Sequence, residues 1–256
     1  MLHVEHLTCG YGAKPLQNPV VKDVSFSVSP GERLCILGPN GCGKTTLLRA
    51  VCGLLPFEGK AEACGLDVRT AKRRELAQKM ALMSQSGQVY FSYTVYETVL
   101  MGRYAHSRRA VFAQDDARGA AVAEECLRRT GLWEERDRPI TELSGGQLQR
   151  VFLARTFAQE PQIILLDEPT NHLDLKYQLA LADDLRAWAA DGSRCVVGVL
   201  HDVNLALDFA DTLLLMKEGR VVSRCPADGF STRMLDEIYD VDVAAYMRRV
   251  LARWQG

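Results

Sequence analysis

Two hydrophobic textures alternate along the chain. Short uninterrupted apolar runs predict buried strands, and stretches in which apolar residues return every three or four positions predict helices. In KDVSFSV the residues Val24, Phe26 and Val28 fall on one side of a strand, and after the turn Pro30-Gly31-Glu32 the run RLCILG reads as a strand buried on both faces. A helix follows from Lys44 to about Val51, and a helical pattern from Ala71 to Met80 leads into the strand ALMSQ, which ends at Gln85. Further on come a helix from Ser144 to about Gln159 stopped by Pro161, the strand QIILLD, the helix LKYQLALADDLRAWAADG, the strand RCVVGVL, and a hairpin in LLLMKEGRVVSR turning at Glu218-Gly219. Buried strands alternating with helices predict an α/β fold, with a mostly parallel sheet covered on both faces.

Between Gln85 and Leu143 the texture changes. QDDARGAAVAEECLRRTG is rich in helix formers and closes on Gly131, and no second strand-like run lies nearby. Residues 86–142 are therefore expected to form a helical subdomain inserted into a core made of residues 1–85 and 143–256. The stretch after the hairpin is too short for another domain, so residues 1–256 are read as a single domain.

Composition narrows the partners. Lysine plus arginine number 31 and aspartate plus glutamate 32, a formal charge of −1, which argues against a protein that lives on nucleic-acid phosphates. The eight cysteines are scattered without a C-x-x-C pair, so reduced and mostly buried thiols are expected. No apolar run reaches the roughly 18 residues that cross a bilayer, and MLHVEHL lacks a basic region followed by an apolar core, so the expectation is a chain that meets a membrane through a partner.

Between the first buried strand and its helix lies LGPNGCGKTT, which fits G-x-x-x-x-G-K-[ST] as Gly38-Pro39-Asn40-Gly41-Cys42-Gly43-Lys44-Thr45, followed by Thr46. Glycines let backbone N–H groups curl around phosphate oxygens, and the helix start adds its positive dipole end. Lys44 is placed to reach β- and γ-phosphates, and the Thr45 hydroxyl to hold Mg²⁺. The run Ile163 to Leu166 delivers Asp167 and Glu168 at the end of a central strand, a pair suited to Mg²⁺ and to an attacking water. LSGGQ puts Ser144 at an N-cap with Gly145, Gly146 and Gln147 in the first turn, a second anion-binding helix end.

In order and spacing these motifs resemble the ATP-binding-cassette (ABC) ATPase family over essentially the whole chain: Walker A (GPNGCGKT), the Q-loop glutamine Gln85, the signature LSGGQ, Walker B (IILLDE), the D-loop Asn171-His172-Leu173-Asp174, and the switch histidine His201. The resemblance implies a P-loop cassette with an antiparallel β subdomain beside the parallel core and the helical insertion. It implies ATP hydrolysis with Mg²⁺ held by Thr45, Gln85 and Asp167, catalysis by Glu168, His201, Gln85 and Lys44, and Tyr11 stacked on adenine. It also implies that Ser144 to Gln147 of one copy close over the ATP held by another, so that two copies sandwich two nucleotides, with Asp174 in the D-loop between them.

By the same resemblance the expected assembly has two such chains, two separate permease subunits docked against Ser86 to His106, and an external solute-binding protein, with this chain on the cytoplasmic face of the membrane. Tyr90, Phe91, Tyr93 and Tyr96 suit either that docking surface or the subdomain core. VYETVLMGRYAH, HDVNLALDFADTLLLMKEGRVV and LDEIYDVDV are similar to ATPases of importers for iron–siderophore complexes, haem or cobalamin. ATPases of zinc/manganese importers and of exporters remain open at this point, as do, more distantly, non-transport cassettes.

Overall fold

The computed structural model describes residues 1–12, 17–84, 92–106, 117–171 and 173–253. The chain opens with β1 (Leu2–Cys9), β2 (Val21–Val28), β3 (Arg33–Leu37), α1 (Lys44–Val51), β4 (Phe57–Ala63) and β5 (Leu66–Asp67). It continues through α2 (Arg73–Lys79), β6 (Met80–Ser84), α3 (Val95–Leu100), α4 (Ala117–Arg129), α5 (Gly145–Ala158), β7 (Ile163–Asp167) and α6 (Leu175–Ala189). It closes with β8 (Cys195–Val199), α7 (Val203–Phe209), β9 (Thr212–Lys217), β10 (Arg220–Pro226), α8 (Thr232–Tyr239) and α9 (Val243–Leu251).

Two sheets result. One is antiparallel, in the order β2-β1-β4-β5, and the other runs β10-β9-β3-β8-β7-β6, parallel except for the β9–β10 hairpin. Parallel strands buried on both faces read as continuous apolar runs, and β7 and β8 have no exposed position. Their side chains serve opposite layers. Ile164 and Leu166 join a core with α3, α4, α5 and α6, whereas Ile163 and Leu165 join a second core with α1 and the antiparallel sheet.

Register brings the chemistry to one edge. β7 pairs with β6 through Asp167 and Ser84 and with β8 through Asp167 and Val199, while β3 lies between β8 and β9. The ends of β3, β7 and β8, from which the phosphate loop, Asp167-Glu168 and His201 emerge, therefore sit side by side, the position where open α/β sheets bind ligands.

Between β6 and α5 the described residues form helices and 3₁₀ turns. α3 is closed by a capping box in which Thr94 accepts from the Glu97 backbone and Glu97 accepts from the Thr94 backbone. Some boundaries differ from the sequence pattern. The helix expected over 71–80 spans Arg73–Lys79, because Thr70 and Ala71 donate their backbone N–H groups to Asp67 in a turn and Met80 is already extended as the first residue of β6. The helix after β7 stops at Ala189, short of Gly192, which turns at φ 71°. The C-terminal stretch carries α8, which buries Leu235 and Ile238, and α9, which buries nothing.

The cysteines are free thiols, six of them buried. No helix among the described residues is long and apolar enough to cross a membrane. Of the aromatic residues suited to docking, Tyr93 is exposed, and Tyr96 packs on the core of helices α3 to α6. Ser86, Tyr90 and Phe91 lie outside the described residues, as does Gln85, the expected end of β6.

Candidate functional site

The loop between β3 and α1 can only be built from residues without side chains at its tight points. A Cβ at Gly38 would stand 2.2 Å from the Met216 carbonyl oxygen, and Gly43, the N-cap of α1, turns at φ 105°. Cys42 is buried, its carbonyl oxygen accepts from Gly219 N at 3.0 Å, and burial pushes its thiol up from the ordinary range. Gly219 in turn fits only because it is glycine, since a Cβ there would lie 2.1 Å from Val20 O. The β9–β10 turn thus holds the loop from outside.

Inside the loop Lys44 is only 4% exposed, and its Nζ donates to Gly38 O at 2.7 Å and Pro39 O at 3.0 Å. The ammonium is thus folded back onto two main-chain carbonyls of the loop itself. Next to it Thr45 Oγ1 donates to Asp167 Oδ1 at 2.7 Å. Burial pushes the Asp167 carboxyl up, Thr45's hydrogen bond works against that, and neighbouring Glu168 adds to it. A hydroxyl and a carboxylate side by side at a phosphate loop are the hard oxygen donors that Mg²⁺ takes. No group of three His, Cys, Asp or Glu that could hold a metal exists among the described residues. Among the described residues, Thr45 and Asp167 are the side chains placed to hold a magnesium ion here.

Glu168 follows in the left-handed region, φ 54°, unusual for a residue with a side chain. His201 Nε2 lies 2.7 Å from Glu168 Oε1, and Asn171 Nδ2 donates to Glu168 Oε2 at 2.8 Å. His201 is held just before α7, whose N-cap Asp202 accepts from Asn204 N and Leu205 N. The loop, Val20, Glu168, Asn171 and His201 enclose a cleft of about 690 Å³, of the size that receives a small ligand.

Of the residues singled out in the sequence, Asn40, Gly41, Gly43, Lys44, Thr45, Thr46, Glu168 and His201 line this cleft, with Asp167 directly behind Thr45. Tyr11 stands beside it, 49% exposed, its hydroxyl oxygen accepting from Thr46 Oγ1 at 3.3 Å. Gln85 and the D-loop's His172 lie outside the described residues. The signature does not line the cleft of its own chain. Ser144 forms a capping box with Gln147, Gly145 has open space around it, and a Cβ on Gly146 would lie 2.7 Å from the Tyr177 ring. Asp174 is likewise engaged locally, accepting from Tyr177 N as the cap of α6. The helix start is therefore set apart from the phosphate loop of its own chain, with Ser144 and Gly145 exposed.

Sequence reasoning missed three contributors. Val20 carried no signal, Asn171 was read only as part of the D-loop, and Tyr239 on α8 reaches the Gly38 backbone, with burial raising its hydroxyl and that hydrogen bond opposing the shift.

Comparison with known proteins places this geometry. Residues 21–171 match the family described as ABC transporter. The chain is 40% identical over 250 residues, 97% of its length, to the uncharacterized ABC transporter ATP-binding protein YvrA of Bacillus subtilis, and it spans 55% of that relative. It is 38% identical over 203 residues to the cobalamin import ATP-binding protein BtuD of Halobacterium salinarum, covering 79% of this chain and 50% of that protein. The chain thus spans about half the length of these two curated relatives. It is 37% identical over 235 residues to the hemin import ATP-binding protein HmuV of Rhodopseudomonas palustris, covering 88% of this chain and 86% of that one. Among solved structures, a chain of an inward-facing transporter described as metal-chelate type superposes with a TM-score of 0.80 at 30% identity, covering 94% of this chain and 89% of that one. A dimeric cassette bound to ADP and Pi superposes at 0.77 with 28% identity, covering 90% and 100%.

Proposed function

The chain belongs to the ABC transporter family, and from that premise we propose that it is the ATP-hydrolysing subunit of an importer, driving uptake of an iron chelate (siderophore or haem) or cobalamin through a separate permease. The observation that carries the ATPase reading is the meeting, at one sheet edge, of Lys44, the Thr45–Asp167 pair and the Glu168–His201 pair. The names of the haem and cobalamin import relatives support the cargo class.

Phosphoryl transfer to water asks the protein chiefly to position groups and neutralise charge. The backbone N–H groups of residues 38–45, Pro39 excepted, wrap the triphosphate, and Lys44 exchanges its carbonyl partners for the β- and γ-phosphates. Tyr11 faces the adenine. Thr45 and Asp167, with Gln85, hold Mg²⁺, which when bound offsets phosphate charge. Glu168 orients the attacking water and takes its proton, and His201 leaves Glu168 to contact the γ-phosphate. The Ser144–Gln147 helix start of a second copy, exposed and set apart from its own loop, covers that phosphate from the far side, with Asp174 at the seam. A monomer then hydrolyses slowly.

In this reading the assembly sits on the cytoplasmic face of the membrane, engages the permease through the Ser86–His106 region, where Tyr104 is 74% exposed, and meets a solute-binding protein only through that permease. Glu168→Gln should bind ATP, trap a dimer and nearly stop turnover, as read by nucleotide binding, sizing and phosphate release. Undiminished hydrolysis would remove Glu168 from its role. With the cognate permease reconstituted, turnover should respond to haem-, siderophore- or cobalamin-loaded binding protein, and silence towards all three would withdraw the cargo.

A further inference from the structure

The turn from Glu168 to Asn171 is tied down at each of its corners. Asn171 N points back to Glu168 O at 3.4 Å, closing the turn around Pro169 and Thr170. The Asn171 side chain does not cap this turn, as asparagines in turns commonly do; it reaches past the backbone to Glu168 Oε2 at 2.8 Å. With His201 on Oε1, both carboxylate oxygens have a side-chain partner. The two partners differ in kind. His201 can carry charge and, in the function proposed above, moves to the phosphate, whereas Asn171 is a neutral donor on the same turn as the carboxylate.

A second tie comes from the signature helix. Gln149, on α5 and only 9% exposed, donates its Nε2 to Pro169 O at 2.6 Å. Gln178 of α6 donates to Thr170 O at 3.4 Å and to Leu173 O at 3.0 Å. A buried side-chain amide aimed at one carbonyl fixes that carbonyl, because losing it would leave a buried acceptor unpaired. The helix that begins at Ser144 is therefore joined through Gln149 to the turn that carries Glu168.

We propose that Asn171 and Gln149 are positioning residues for Glu168: Asn171 fixes the carboxylate when His201 departs, and Gln149 fixes the turn, so that the signature helix and the catalytic carboxylate move together. The inference rests on the reading that Glu168 orients the attacking water. Its physical content is that a base held off line by a fraction of an ångström loses rate without losing substrate.

The test is steady-state ATP hydrolysis by the full chain in complex with its permease, with ATP affinity and thermal stability measured in parallel. Asn171→Ala removes the donor, Asn171→Leu keeps a similar size while replacing the donor with an uncharged apolar group, and Gln149→Met keeps length while removing the tie to Pro169. Each is expected to lower kcat about tenfold or more while leaving ATP affinity within about twofold, since the phosphate loop is untouched. If Asn171→Ala fails to fold, Asn171→Leu decides. Wild-type rates in both Asn171 variants or in Gln149→Met, or rate and affinity falling together, would overturn the proposal. If wild type hydrolyses ATP and Glu168→Gln does not, such a result removes only this inference. A wild type without turnover removes the ATPase reading, and this inference with it.

Discussion

Gly145 and Gly146 are neighbours in sequence with opposite surroundings, and alanine at each should have opposite effects. A Cβ on Gly146 would lie 2.7, 2.8 and 2.9 Å from three carbons of the Tyr177 ring, and one on Gly145 would meet nothing within 4 Å. Overpacking of this kind costs about 1–3 kcal/mol, from which a helix-propensity gain of about 0.5–1 kcal/mol is subtracted, leaving Gly146→Ala destabilised by up to about 2.5 kcal/mol. For a chain of this size each kcal/mol moves Tm by about 2–4 °C, so a fall of up to about 10 °C is expected, against a small rise for Gly145→Ala. Thermal unfolding of the nucleotide-free chain by circular dichroism reads both. Tyr177→Ala combined with Gly146→Ala should recover part of the loss, because it removes the ring that the new methyl meets. Gly145→Ala, although no less stable, should lose ATP turnover if its open face receives the second copy's nucleotide. A Gly146→Ala chain as stable as Gly145→Ala would refute the packing of α5 on Tyr177.

Two further outcomes follow from the cleft. Burial raises the Asp167 pKa in the folded chain above its unfolded value, so the charged carboxylate carries a penalty at neutral pH that is relieved as pH falls through the folded pKa. Asp167→Asn should therefore stabilise the nucleotide-free protein at pH 7, with the gain shrinking on acidification toward pH ~4, and a gain that grows on acidification would contradict the raised pKa. Gly219→Ala, whose Cβ would meet Val20 O at 2.1 Å, should lower Tm and weaken ATP binding in isothermal titration, and unchanged binding would mean that the β9–β10 turn does not set the loop.

The parallel core was legible because its strands are buried on both faces: RLCIL, IILLD and CVVGV contain scarcely a polar residue, and each ends at a motif. The antiparallel sheet was harder. β1 alternates only until His6, at φ 51°, where its register slips against both β2 and β4, so a period of two is lost midway. Lys44, Thr45, Asp167, Glu168 and His201 could be named from spacing, but their meeting depends on β3, β7 and β8 ending at one edge. Asn171 was legible only as part of the D-loop, because its hold on Glu168 is a side-chain contact that no pattern of residue types announces.

Strand order also dictates a timetable for synthesis. β3, which carries the phosphate loop, hydrogen-bonds to β8 on one side and β9 on the other, and neither exists until the nascent chain has grown past Val199 and Lys217. The loop leaves the ribosome well before β8 and β9 do, so its apolar strand must wait, exposed or chaperoned, for them to arrive.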